Sequence, residues 1–110
     1  MRRCRRCEPV PDEVRRAADL LERRWLLQVL YAAHAGATRF NEFRQAVGPV
    51  PPRTLAQRLT ELEAAGIVDR AVVDARPPYV EYRLTERGLR LKIVVDALRS
   101  WADVPAAPPR

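Results

Sequence analysis

At Ile67 the hydrophobic pattern of the chain changes period. Upstream, apolar residues recur every three to four positions, as in Leu55, Leu59 and Leu62. From Ile67 they alternate, through "IVDRAVV" and "YVEYRLT", which are separated by the polar "DARPP". Past Thr85 the helical spacing returns, with Leu91, Val94, Val95, Leu98 and Trp101 on one side. Spacing of three to four predicts helices, and alternation predicts strands with one covered face. A single β-hairpin, with Val80, Tyr82 and Leu84 on one face and an arginine near its tip, is therefore expected inside an otherwise helical chain.

Punctuation residues divide the helical part. Asp12 is placed to cap a first helix carrying Val14, Ala17, Ala18 and Leu21, and "ERRWLLQVLYAAHAG" continues the spacing through Leu26, Val29, Leu30 and Ala33 to a stop at Gly36. This is one long helix or two in tandem. Thr38 is expected to cap "RFNEFRQAV", with Phe40, Phe43 and Val47 inward, and "GPVPP" interrupts it. Pro52 suits the first turn of the next helix, because an N–H there has no helical partner, and Gly66 ends that helix. Two short helices about a tight turn, the second with a basic outer face, form a helix-turn-helix candidate. Thr85 is expected to cap a final helix from Glu86 to about Trp101, whose stripe Leu89, Ile93 and Ala97 widen beyond what one small domain covers. A second copy of the chain is the most economical cover. The predicted fold is mainly α with a small β-hairpin, a winged helix-turn-helix dimerising through its terminal helices. It divides into a basic arm at 1–11, the DNA-binding domain at 12–102 and a disordered tail at 103–110.

At 110 residues the chain holds one core. The formal charge is +6, and every basic residue except Lys92 is arginine, a balance that favours a polyanionic partner. A high arginine share also follows from codon bias in a GC-rich genome, so charge alone does not decide. No run approaches the roughly 18 to 20 apolar residues of a membrane span, and the basic N-terminus has no apolar signal stretch, so a cytoplasmic location without membrane contact is expected. With one histidine, no Ser/His/Asp set and no phosphate loop, enzymatic chemistry and a bound cofactor are not expected.

"LLQVLYAAHAGATRFNEFRQAVG", "TLAQRLTELEAAGIVDR", "PPYVEYRLTERGLRL" and "ALRSWAD" resemble the HxlR-type winged helix-turn-helix transcriptional regulators of bacteria, over about Leu20 to Trp101. The resemblance implies a homodimer, on an inverted-repeat operator in double-stranded DNA, with the helix from Pro52 in the major groove. It also implies a wing near Arg76 at the minor groove and a dimer interface of terminal helices, here Leu91, Val94, Val95, Leu98 and Trp101. The chain departs from the family pattern in three places. Glu22, Arg23 and Arg24 stand where a Gly-rich break is common, which keeps a continuous first helix open beside two in tandem. Pro51 stands where a serine usually caps the recognition helix. The register of the usual sensor cysteine falls on Asp12.

Within this frame Arg53, Thr54, Gln57 and Arg58 are the candidate reading residues, turned from the leucine stripe together with Glu61. Arginine donates a bidentate pair to guanine and glutamine to adenine, while threonine and helix N-terminal amides anchor phosphate. Arg39, Asn41, Arg44 and Arg76 are candidate phosphate or wing contacts. Arg70 and Arg83 are weaker ones that can instead pair with Asp69 or Glu81 across the strands. Cys4 and Cys7 form CxxC. With only His34 besides, they fall short of a four-ligand zinc site, so no metal is expected. Flanking Arg2, Arg3, Arg5 and Arg6 favour thiolate, which makes the pair a candidate redox or electrophile sensor, the alternative being an incidental arm. His34 is expected to interact with the end of its helix. Trp25, Tyr31 and Trp101 belong to core or dimer seam, or to a pocket for a small apolar effector such as a quinone. The reading from a different class is a winged-helix protein-interaction module without specific DNA binding, toward which Pro51 leans.

Overall fold

Leu55, Leu59 and Leu62 have no exposed surface, and they pack with Leu26, Leu30, Phe43 and Val68 in one cluster. In the computed structural model, which describes residues 7–105, the chain runs α1 (Asp12–Leu21), α2 (Leu26–His34), α3 (Phe40–Val47), α4 (Pro52–Ala64), β1 (Val68–Val73), β2 (Tyr79–Leu84), α5 (Glu86–Leu89) and α6 (Lys92–Asp103). The strands are antiparallel, with Val68 opposite Leu84 and Val73 opposite Tyr79, so the connection at 74–78 carries Arg76 at the tip. This is the expected winged helix: α3 and α4 form the helix-turn-helix and the hairpin is the wing. The ends of the expected arm and tail, 1–6 and 106–110, lie outside the described residues, and Cys4 with them.

Several local expectations are corrected. Asp12 does not cap α1: Pro11 is the cap, its carbonyl accepting from Val14 N (3.1 Å) and Arg15 N (3.0 Å), and Asp12 and Glu13 occupy the first turn, where the helix dipole favours acids. Thr38 does not cap α3 either. The helix starts one residue later than that reading required, because Glu42 reaches back to accept from Thr38 N (3.0 Å) and Arg39 N (2.9 Å). Of the two readings of the first helical stretch, two helices in tandem is the one found, with no glycine at the break: Trp25 itself takes the left-handed conformation, φ 75°, between α1 and α2.

The terminal helix is also divided. Thr85 caps α5, its Oγ1 accepting from Gly88 N at 3.0 Å, but the helix turns at 90–91 before α6. Just before this turn lies a close approach at buried Gly88, where an added Cβ would stand 2.1 Å from the Ile67 carbonyl oxygen. The Gly88 carbonyl accepts from Leu91 N (3.0 Å), a tighter three-residue bond, and lies 3.0 Å from His34 Nε2. His34 Nδ1 lies 3.0 Å from the Leu30 carbonyl in the last turn of its own helix, so this histidine joins α2 to α5.

α1 buries none of its residues, and α6 buries only Val95. Val14 is half exposed, and Ile93 and Trp101 are 76% and 78% exposed. The terminal helices thus keep apolar faces that the described residues do not cover.

Candidate nucleic-acid interface

α4 is held by its leucines and begins with two prolines. Pro51 and Pro52 carry no N–H, so the first-turn amides without a helical acceptor belong to Arg53 and Thr54. The ladder begins at Leu55 N, which donates to Pro51 O at 2.9 Å. The outer end of the helix therefore presents two backbone donors at the positive end of the dipole, an arrangement suited to phosphate. The Arg53 and Gln57 side chains are exposed on this side, one turn apart, and Thr54 is half-buried beside them.

Arg58 is placed differently. Its side chain is only 13% exposed; Nε donates to the Arg24 carbonyl at 2.8 Å and Nη1 to Glu61 Oε1 at 2.6 Å. Glu61 Oε2 lies 3.3 Å from Arg23 Nε, an ion pair without hydrogen-bond alignment, and makes no hydrogen bond. The polar side of α4 is thus split, with Arg53, Thr54 and Gln57 facing out and Arg58 and Glu61 facing the turn between α1 and α2. The Arg58–Glu61 spacing of three hints at the pairing in sequence, but nothing local points to a carbonyl 34 residues upstream.

Arg39, Asn41 and Arg44 are exposed on α3, and Arg76 is exposed at the wing tip. The Arg39 guanidinium lies over the Tyr79 ring, 3.4 Å from its centroid. Tyr79 was not singled out from the sequence, because on a strand it reads as ordinary packing. Thr38 ties the same region together: its carbonyl accepts from Tyr82 N at 2.7 Å, and its hydroxyl lies 3.2 Å from Glu42 Oε1 and 3.1 Å from Glu81 Oε2. Phe43 meets Tyr82 edge to face at 6.4 Å. The wing and the helix-turn-helix are therefore joined through backbone, side chain and ring contacts at one place.

Two carboxylates in that junction titrate low. The Thr38 and Arg39 amides hold Glu42 below the ordinary glutamate range, and the Arg83 guanidinium does the same for Glu81. Arg83 thus pairs with Glu81 on its own strand, although Asp69 stands opposite it in the register. Cys7 is exposed in the segment before α1. Away from these residues, a groove of about 550 Å³ lies between α2, the end of α3 and α6, lined by Leu27, Tyr31, Val47, Leu98 and Trp101 with Arg99 at its edge. Among the described residues no group of three His, Cys, Asp or Glu side chains is arranged to hold a metal ion, and no helix is long and apolar enough to cross a membrane.

Residues 20–108 match the family model described as HxlR-like helix-turn-helix. The chain belongs to this family. Among curated relatives, the HTH-type transcriptional regulator YodB of Bacillus subtilis (strain 168) is 37% identical over 87 residues, which cover 79% of this chain and 78% of that protein. Among solved structures, the reduced form of the transcriptional regulator YodB from B. subtilis superposes with a TM-score of 0.77 at 32% identity, covering 93% of this chain and all of that one (100%). The redox regulator HypR in its oxidized form gives a TM-score of 0.78 at 36% identity, covering 87% of this chain and 99% of that one. As an HxlR-like protein with an intact winged helix, the chain is a DNA-binding helix-turn-helix transcriptional regulator and not an enzyme.

Proposed function

We propose that the protein is a repressor that binds an inverted-repeat operator as a homodimer in the cytoplasm. The observation that carries this reading is the division of α4: a fully buried leucine stripe behind, and Arg53, Thr54 and Gln57 in front with two unused backbone donors. In the proposed complex these residues enter the major groove, with Arg53 and Gln57 reading bases and Thr54 anchoring phosphate. Arg39, Asn41 and Arg44 face the backbone, and Arg76 meets the adjacent minor groove.

The homodimer reading is supported by the uncovered apolar faces of α1 and α6. Leu98 and Trp101, with Leu91, Val94 and the exposed Ile93, form the proposed seam, whereas Val95, expected there from the sequence, is buried in the core of its own chain; the seam sets the two α4 helices about 34 to 36 Å apart, one DNA turn. The sensing reading assigned to Cys4 and Cys7 gains support from the similarity to the redox regulator HypR, and the effector it implies is a small apolar or electrophilic compound. Replacing both cysteines by serine tests it: identical DNA affinity with and without oxidant, in wild type as in the variant, removes the role.

The experiment for the main reading is binding of the purified protein to DNA from its own upstream region, over a range of salt concentrations and against scrambled competitor. Tight, sequence-preferring binding that weakens steeply with salt is expected. Weak binding without preference, by a monomer, would instead favour the protein-interaction module.

A further inference from the structure

We propose that Arg58 and Glu61 are positioning residues that clamp the turn between α1 and α2 onto the recognition helix, rather than residues that contact DNA. The inference rests on the DNA-binding reading above.

The turn is strained where the clamp grips it. Trp25 holds φ 75° without being glycine, a strained conformation that persists only where the surrounding structure enforces it. Among the described residues no backbone N–H donates to the carbonyl just before it, that of Arg24, and Arg58 Nε supplies its donor at 2.8 Å. Arg23, the neighbour on the other side, is paired with Glu61, and the Arg24 guanidinium lies 5.2 Å from the Trp25 ring centroid. Both residues flanking the Arg23–Arg24 peptide are therefore attached to α4 by charge-assisted contacts.

What the clamp controls follows from the packing of α1. That helix buries no residue, and only Leu20 and Leu21 near its end touch the core. Its direction is set largely by the turn. Because α1 carries one of the two uncovered apolar faces, the angle between α1 and α4 fixes where the partner's recognition helix stands. A clamp at this point converts the geometry of the dimer into the spacing of the reading helices. Two of the five Arg58 N–H donors are committed to protein acceptors, and the side chain is only 13% exposed, which leaves little of it for a phosphate.

The two roles for Arg58 give opposite signs for a change at Glu61. E61Q keeps the shape of the side chain and removes its charge. As a clamp component, its loss is expected to weaken binding to the protein's own upstream DNA tenfold or more while leaving scrambled DNA unchanged. R58A and R58K should lose a similar factor, since lysine lacks the fork that spans carbonyl and carboxylate, and the E61Q/R58A double variant should lose no more than either alone. Backbone amides at 22–28 should exchange hydrogen faster in E61Q. If Arg58 contacts DNA instead, E61Q tightens binding, R58K retains most affinity, and R58A lowers the slope of log affinity against log salt by about 0.9; that pattern overturns the proposal. A wild type with no preference for its own upstream DNA refutes the repressor reading. The exchange experiment then decides the clamp alone: faster exchange at 22–28 supports it and unchanged exchange overturns it.

Discussion

Arg53 and Arg58 show how far apart two arginines of one helix face can be in role. Both lie off the leucine stripe, yet Arg53 is exposed while Arg58 is spent on a carbonyl and a carboxylate of its own chain. Replacing Arg53 by alanine is expected to cost about 1 to 3 kcal/mol of operator binding with a relaxed preference at one base position, measured by titrating operator variants. An equal loss on every sequence would make Arg53 a phosphate contact. At the wing junction, Glu42 and Glu81 both have lowered pKa values in the folded chain. Their contribution to stability is therefore complete above the ordinary glutamate value of about 4.3, begins to fade as pH falls below it, and is gone beneath the lowered folded values. Denaturant midpoints between pH 6 and pH 2 should show this loss, and E42Q should reduce its size. Glu42 is solvent-exposed and Glu81 only 18% exposed, so it is the Glu42 part of the effect that will shrink most in high salt.

At the level of elements, the packing of α5 on the turn after α4 depends on one residue without a side chain. Gly88 approaches the Ile67 carbonyl too closely for any Cβ, and Thr85 fastens the same turn by donating to the Gly66 and Ile67 carbonyls. Gly88→Ala is expected to destabilise the fold by about 1 to 3 kcal/mol or more, since backbone rather than a flexible side chain must move. Thermal unfolding checks it; an unchanged midpoint would mean that α5 can shift freely on β1. The element pattern itself was readable beforehand. Leu55, Leu59 and Leu62, the alternation in "IVDRAVV", Pro52 at the first turn and the glycine stops all act within a few residues, which is the range over which period and capping operate. The sequence left one helix or two open at the first break and did not show the division of α5 from α6, because each lies at a contact with a distant residue: Arg58 on Arg24, and Ile67 on Gly88.

For the whole molecule, the decisive property is apolar surface left over after folding. Ile93 and Leu98 are exposed on α6, where the proposed partner would cover them. Replacing both by aspartate is expected to leave the folded core intact and to yield a monomer whose DNA binding loses about half its salt slope, as half the phosphate contacts are lost; sedimentation and salt titration read the two effects. A dimer that survives this change would place the seam elsewhere. Sequence alone determined the succession of helices and hairpin, the single core, the HxlR-type kinship and the uncovered terminal stripe, because these depend on side-chain order along the chain. Only the tertiary structure decided which polar residues of α4 remain available to a partner, how α1 leaves the body and where the wing is fastened, because those depend on which backbone carbonyls and carboxylates packing brings within hydrogen-bond reach.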